Sequence, residues 1–235
     1  EVPPFPGAEA KKIIEKSLGA PIKDLFKDFD KEPIAAASIA QVHIATSYEG
    51  KKVAVKVLRP GIAKAFSRDL DAFLWLASMI ELFSSEARRL RPSKMVETIT
   101  DVIALELDLR IEAAAAAELK QNTRLNPHYD VPEVDWDRTS RQVLTTNWVD
   151  GISFKARDDI IKAGLDPVKL AENLVQSFLS QALNDGYFHA DLHQGNLFAC
   201  DDNKITAIDF GIMGRIDLKT RRALADILYG CATQD

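Results

Sequence analysis

The spacing of apolar residues divides the chain into alternating and helical stretches. Residues 8–18 place Ile13, Ile14 and Leu18 at helical intervals, and Gly19 with Pro21 beyond it stops that helix. Residues 33–48 mix small and β-branched side chains and predict two strands joined by a tight loop, with a turn at Glu49-Gly50. Val53-Ala54-Val55-Lys56-Val57-Leu58 predicts a strand halted by Arg59-Pro60. The pattern then changes period. Phe66, Leu70, Phe73, Leu74, Leu76 and Ala77 form a broad apolar stripe on a helix over 63–83. A second, longer helical region runs over 92–122, with Pro92 in its first turn and an alanine tract, 113–117, as a face for close packing. Short strands follow at 131–134 and 142–146, and Asp150-Gly151 breaks the chain. An amphipathic helix over 167–184 uses Leu170, Leu174, Phe178 and Leu183 and ends at Gly186. Residues 197–199 and 204–208 predict a hairpin around the polar turn Asp201-Asp202-Asn203, and a last helix covers 218–231.

A sheet, then helices, then a helix–loop–hairpin unit predicts a two-lobed α+β fold. We expect the first lobe over 1–146 and the second over 147–235, with a ligand cleft between them.

Composition changes this picture little. At 235 residues and 46% hydrophobic, the chain can fill one domain or two packed lobes. Its net charge of −5 supplies no basic field, so nucleic acid is not an expected partner. Cys200 and Cys231 form no CxxC and lie near no histidine cluster, so neither zinc nor a disulfide is expected. The opening Glu1-Val2-Pro3-Pro4-Phe5-Pro6 has no basic or apolar leader pattern. The longest apolar run falls far short of the roughly 18 residues that cross a bilayer, so this stretch is expected to be soluble.

The chemistry is concentrated in two strings. His189-Ala190-Asp191-Leu192-His193-Gln194-Gly195-Asn196 has the form H-x-D-x-x-x-x-N, and Asp209-Phe210-Gly211 follows it. In that order, Asp191 orients and deprotonates an attacking hydroxyl, while Asn196 and Asp209 hold Mg²⁺ at the phosphates of ATP or ADP. His193 replaces the lysine common in protein kinases and points toward small-molecule acceptors. His189 reads as a structural orienter of the loop. His43 and His128 have no partner pattern, and Asp201-Asp202 is a polar turn.

Alternation on the lysine strand puts Val53, Val55 and Val57 on one face and Ala54 with Lys56 on the other. Ala54 then suits an adenine ring, and Lys56 the α- and β-phosphates. Such a lysine needs a carboxylate from a helix. Glu97, Glu106, Asp108, Glu112 and Glu118 are all available, and spacing does not choose among them: on one continuous helix, Glu106 and Glu112 stand about 240° apart. Where a kinase carries a glycine loop, this chain has Ala35-Ala36-Ala37-Ser38. Alanine restricts φ > 0, so the phosphate-covering loop is expected to be stiff. By position, the backbone of Asn147, Trp148 and Val149 meets adenine.

These motifs together resemble the UbiB/ADCK family of atypical kinases. They are the alanine loop with Ile39-Ala40-Gln41-Val42-His43, Val53-Ala54-Val55-Lys56 with Arg59-Pro60-Gly61, Glu106-x-Asp108 before Glu112-Ala113-Ala114, and the His189–Asn196 string. The resemblance runs from about residue 2 to the end. It implies a protein-kinase-like fold, ATP or ADP with Mg²⁺, and a role in ubiquinone (coenzyme Q) biosynthesis on the cytoplasmic side of the inner membrane. The partners it implies are quinone-precursor lipids or other proteins of that pathway. It also implies that Glu112 pairs with Lys56 and that Glu106 and Asp108 form the family's E-x-D motif over the nucleotide. The family's upstream K-x-G-Q motif and its C-terminal membrane helices are missing, so a kinase-like core truncated at both ends is expected. Two other classes stay open. One is a nucleotide-binding pseudokinase scaffold, against which the intact Asp191, Asn196 and Asp209 argue. The other is an aminoglycoside-type phosphotransferase, which shares the H-x-D-x-H string but has no reason for the alanine loop. No A-P-E follows Asp209, and Gly211–Arg215 is expected to pass quickly into a helix.

Overall fold

The computed structural model describes residues 3–233. They form two compact units, the first comprising residues up to 111 with 135–145, the second 112–134 with residues from 146 onward.

In the first unit, α1 (Gly7–Leu18) and the short α2 (Ile22–Leu25) precede four strands: β1 (Asp28–Phe29), β2 (Ala35–Ala36), β3 (Ala40–Thr46) and β4 (Lys52–Leu58). Helix α1 stops at Gly19, which takes the left-handed conformation predicted for a helix-ending glycine. Strands β3 and β4 pair antiparallel in full register, and β1 and β2 both pair with β3. Val53, Val55 and Val57 are buried with Ala10 and Ile14 of α1, Phe5 and Phe26. The opposite face carries Val42 beside Lys56 and Ile44 beside Ala54, all only half-buried. Alternation therefore fixes which side of the sheet the lysine occupies. The buried face also orders the Pro-rich strip: Gln41 accepts from the Phe5 N–H at 3.0 Å and donates to the Phe5 carbonyl at 3.1 Å.

Helices α3 (Ile62–Phe83), α4 (Ser85–Leu90), α5 (Pro92–Glu106) and α6 (Leu109–Thr123) follow. The single helical region expected over 92–122 is two helices, broken at Leu107-Asp108. Asp108 is the reason: its Oδ1 accepts the Arg110 N–H at 3.2 Å, which satisfies an orphan donor at the start of α6. The stripe on α3 is covered only in part. Phe73 and Leu76 remain 59% and 49% exposed, so helical periodicity there did not mean full burial.

The rest of the chain forms β5 (Tyr129–Asp130), β6 (Val143–Asn147), β7 (Ile152–Ser153), α7 (Arg157–Lys162), α8 (Pro167–Ser180), β8 (Tyr187–His189), β9 (Leu197–Cys200), β10 (Lys204–Ala207), β11 (Met213–Arg215) and α9 (Leu218–Thr233). Strand β6 completes the first sheet beside β4. The second unit holds a four-stranded sheet, β5-β10-β9-β7, and a two-stranded ribbon of β8 and β11. Its buried side chains include Ala113, Ala116 and Leu119 of α6, Tyr129, Leu170, Leu197, Ile205 and Phe210. The alanine tract thus does supply a close-packed face.

Three expectations change here. The strand placed at 131–134 lies at 129–130, and Val134 makes only an isolated bridge to Thr146. The helix expected to reach residue 184 leaves α geometry at Ser180 and closes with a π turn, Gln181–Asp185. After Gly211 the chain first adds β11 before entering α9.

Candidate active site

The catalytic string is held by strand pairing. Strand β8 ends at His189, whose register partner on β11 is Met213. The Ala190 N–H extends the ribbon to the Ile212 carbonyl at 3.0 Å, so Asp191 and the D-F-G segment are drawn together. Gly186 makes this approach possible. It adopts φ +67, and a Cβ there would lie 2.7 Å from the Ile216 carbonyl oxygen.

His189 links the two strings. Its Nδ1 accepts the Asp191 N–H at 3.1 Å, and its Nε2–H donates to the Asp209 carbonyl. Those roles require the neutral Nε2–H tautomer. Burial pushes its pKa down, opposed by the Asp209 carbonyl and nearby carboxylates. Its ring packs 5.6 Å from that of buried Phe210. The orienting role expected from sequence is what these bonds perform.

The loop itself is tight. The Asp191 carbonyl accepts the His193 N–H at 2.9 Å and the Asn196 Nδ2–H at 3.3 Å. Asn196 is buried and its carbonyl receives the Ile208 N–H at 3.0 Å, one residue before Asp209. Asp209 Oδ1 accepts the Gly211 N–H at 3.1 Å, which turns the chain. His193 Nδ1 accepts from Gly195 at 3.0 Å, so its Nε2 faces Asp191 Oδ2, 3.6 Å away.

Asn196 and Asp209 supply oxygen ligands only. Among the described residues no group of three or more His, Cys, Asp or Glu side chains could hold a metal. A sparse oxygen donor set fits Mg²⁺, which takes one or two protein ligands and completes its shell with water and phosphate.

In the first unit, the alanine loop is a clamped hairpin. Ala35 and Ala36 form β2, and the Ala37 N–H bonds the Ala40 carbonyl at 2.8 Å. Ala35, Ala37 and Ser38 are exposed. Arg59 holds the loop from below. Its Nε and Nη2 donate to the Ala37 carbonyl at 3.0 and 2.9 Å, Nη2 also reaches the Pro3 carbonyl at 3.0 Å, and its N–H bonds Ile39. From the sequence, Arg59 entered only as part of a strand stop and of the Arg59-Pro60-Gly61 motif, with no role of its own. No local signal marks it, because its acceptor carbonyls lie 22 and 56 residues earlier.

The E-x-D residues straddle the helix break. Glu106 ends α5 and is exposed. Asp108 receives a bidentate fork from Arg110, Nε–Oδ1 2.9 Å and Nη2–Oδ2 2.6 Å. That guanidinium holds the Asp108 carboxyl below its ordinary pKa. The 240° relation of Glu106 to Glu112 does not apply, because the two stand on different helices. Glu112 is buried in the first turn of α6; it falls in the second unit, and Lys56 in the first. Asn147 pairs with Glu133 through its N–H at 2.9 Å. The Trp148 indole N–H is taken by Asp150 at 3.0 Å. Buried His43, expected to be ordinary, bonds the Asp30 carbonyl and Gln41 at 2.9 and 2.8 Å in the sheet core.

Comparison with known proteins places these features. A curated relative named probable protein kinase UbiB, from Marinobacter nauticus, is 45% identical over 92% of this chain and 40% of its own length. An uncharacterized protein of Mycobacterium tuberculosis, Rv0647c, is 40% identical over 97% of this chain and 47% of its own. The chain thus spans less than half the length of these curated relatives. The solved complex of Rv3197 with erythromycin, also from M. tuberculosis, is similar in fold. Its TM-score is 0.72 at 28% identity, covering 91% of this chain and 53% of that one. The model of the ABC1 atypical kinase-like domain matches residues 1–235. With its kinase-like fold and its alanine loop, the chain belongs to the ABC1 atypical kinase-like family, in which its curated relatives include probable protein kinases of the UbiB type.

Proposed function

We propose that this chain is the nucleotide-handling core of an Mg-dependent atypical kinase or ATPase that supports ubiquinone biosynthesis. The observation that carries the reading is the bonded ribbon that joins Asp191, Asn196 and Asp209 through neutral His189. Asp191 would accept the proton of an acceptor hydroxyl or of water. Asn196 and Asp209 would hold Mg²⁺, and Lys56, fixed by Glu112, would bind the α- and β-phosphates. When bound, Mg²⁺ supplies positive charge to the phosphoryl oxygens. The loop of Ala35, Ala36, Ala37 and Ser38 would cover the phosphates, and Ala54 with the backbone of residues 147–149 would take adenine. The names of the UbiB relatives support the pathway; quinone-precursor lipids or other proteins of the pathway would be its partners, and a membrane surface its place. Among the described residues no helix is long and apolar enough to cross a membrane.

The deciding experiment is nucleotide turnover by the full-length protein, with and without quinone-precursor lipids. Asp191→Asn is expected to lower turnover by about 10²–10⁴-fold with nucleotide affinity retained. Asp209→Asn is expected to abolish the Mg-dependence of nucleotide binding. Full quinone production in cells carrying Asp191→Asn would instead favour a scaffold whose chemistry is dispensable.

A further inference from the structure

The second unit sets a cation against the catalytic loop from outside it. The connection after β7 runs along that loop. The Phe154 N–H bonds the Leu197 carbonyl at 3.0 Å, and Ser153 Oγ reaches the Gln194 carbonyl at 3.5 Å. The next residue is Lys155, whose stem crosses Gly195. A Cβ at Gly195 would lie 2.8 Å from Cε1 of His193 and 3.2 Å from Cε of Lys155. Both side chains therefore press on the same backbone point, and His193 in turn faces Asp191 Oδ2 at 3.6 Å. Lys155 is exposed, and it makes no ion pair among the described residues.

We propose that Lys155, with the Nε2–H of His193, binds a phosphate group beside Asp191. The assignment rests on the function proposed above. A phosphoryl group at Asp191 brings negative charge close to a carboxylate, and that repulsion needs a fixed cation with hydrogen-bond donors. The loop of His189–Asn196 contains no lysine or arginine. Lys155 supplies the charge from a neighbouring segment bonded to the loop. The absence of a side chain at Gly195 lets the lysine stem and the imidazole share that point. Two sources offer this chemistry: the γ-phosphoryl of ATP, and a phosphate carried by the acceptor.

The test compares wild-type full-length protein with Lys155→Gln and Lys155→Arg. Affinities for Mg-ATP and Mg-ADP are measured by calorimetry. Inorganic phosphate is titrated into the Mg-ADP form and followed by the ring ¹H–¹⁵N signals of His193. If the group is the γ-phosphoryl, Lys155→Gln weakens Mg-ATP by about tenfold and leaves Mg-ADP unchanged. If it belongs to the acceptor, both nucleotides bind as before, and the His193 response requires about tenfold more phosphate. Lys155→Arg keeps most of either effect. Unchanged ATP affinity together with an unchanged phosphate titration overturns the proposal, as does equal weakening of ATP and ADP. If the wild-type protein binds neither nucleotide, the functional reading fails instead; phosphate titrated into the nucleotide-free protein then decides whether Lys155 binds it.

Discussion

At His189 one imidazole joins the carbonyl of Asp209 to the amide of Asp191. Its folded pKa lies below 6.5 because burial disfavours the cation. The neutral ring is thus the stable one, and its contribution is complete above pH 6.5. It is lost as pH falls from there through the lower folded value. Thermal stability should therefore decline on acidification below about pH 6.5, with a shallower decline in His189→Gln. Equal pH slopes in the two proteins would refute that role. That Asp191, Asn196 and Asp209 come together was legible because the motifs that carry them are defined by spacing within one short stretch. Arg59 was not, since its acceptor is a carbonyl 22 residues earlier. No local pattern marks a guanidinium that grips backbone.

The helix break at Leu107-Asp108 shows what periodicity misses. Apolar spacing runs on across residues 92–122, while two residues depart from the helix and Asp108 caps the next one. Asp108→Ala should destabilise the protein by about 1 kcal/mol through the lost cap. The Arg110 pair adds little, because the guanidinium is 61% exposed. Urea denaturation measures the change, and Asp108→Asn, which can still cap, should recover much of it. A loss as large in Asn as in Ala would place the effect in the ion pair. Strands β7, β8 and β11 were also unread. Each has two or three residues, too few for alternation to register, and β8 and β11 are defined by each other.

At the scale of the whole molecule, the chain returns to the first unit at residues 135–145 after contributing 112–134 to the second. No composition shift marks these crossings, and a single boundary near residue 146 was the natural expectation. Lys56 and Glu112 belong to different units, and a double-variant cycle tests their proposed pairing. Lys56→Met and Glu112→Gln should each weaken Mg-nucleotide binding by about tenfold, and the double variant should be no weaker than the worse single one. Additive losses would mean that the two residues act separately.

By itself, the sequence determined the family and the kinase-like plan. It also determined the buried side of the lysine strand and the order of Lys56, Asp191, Asn196 and Asp209. These follow from periodicity and from motifs shorter than ten residues, which local chemistry constrains. Tertiary structure alone decided the break that turns Asp108 into a cap, the clamp of Arg59 on Ala37, the exposure left on α3, and the meeting of Lys155 with His193 at Gly195. The Arg59 clamp and the meeting at Gly195 join segments distant along the chain, brought together by strand pairing and packing; the Asp108 cap is local but leaves the apolar period unbroken, and exposure on α3 depends on what packs against it.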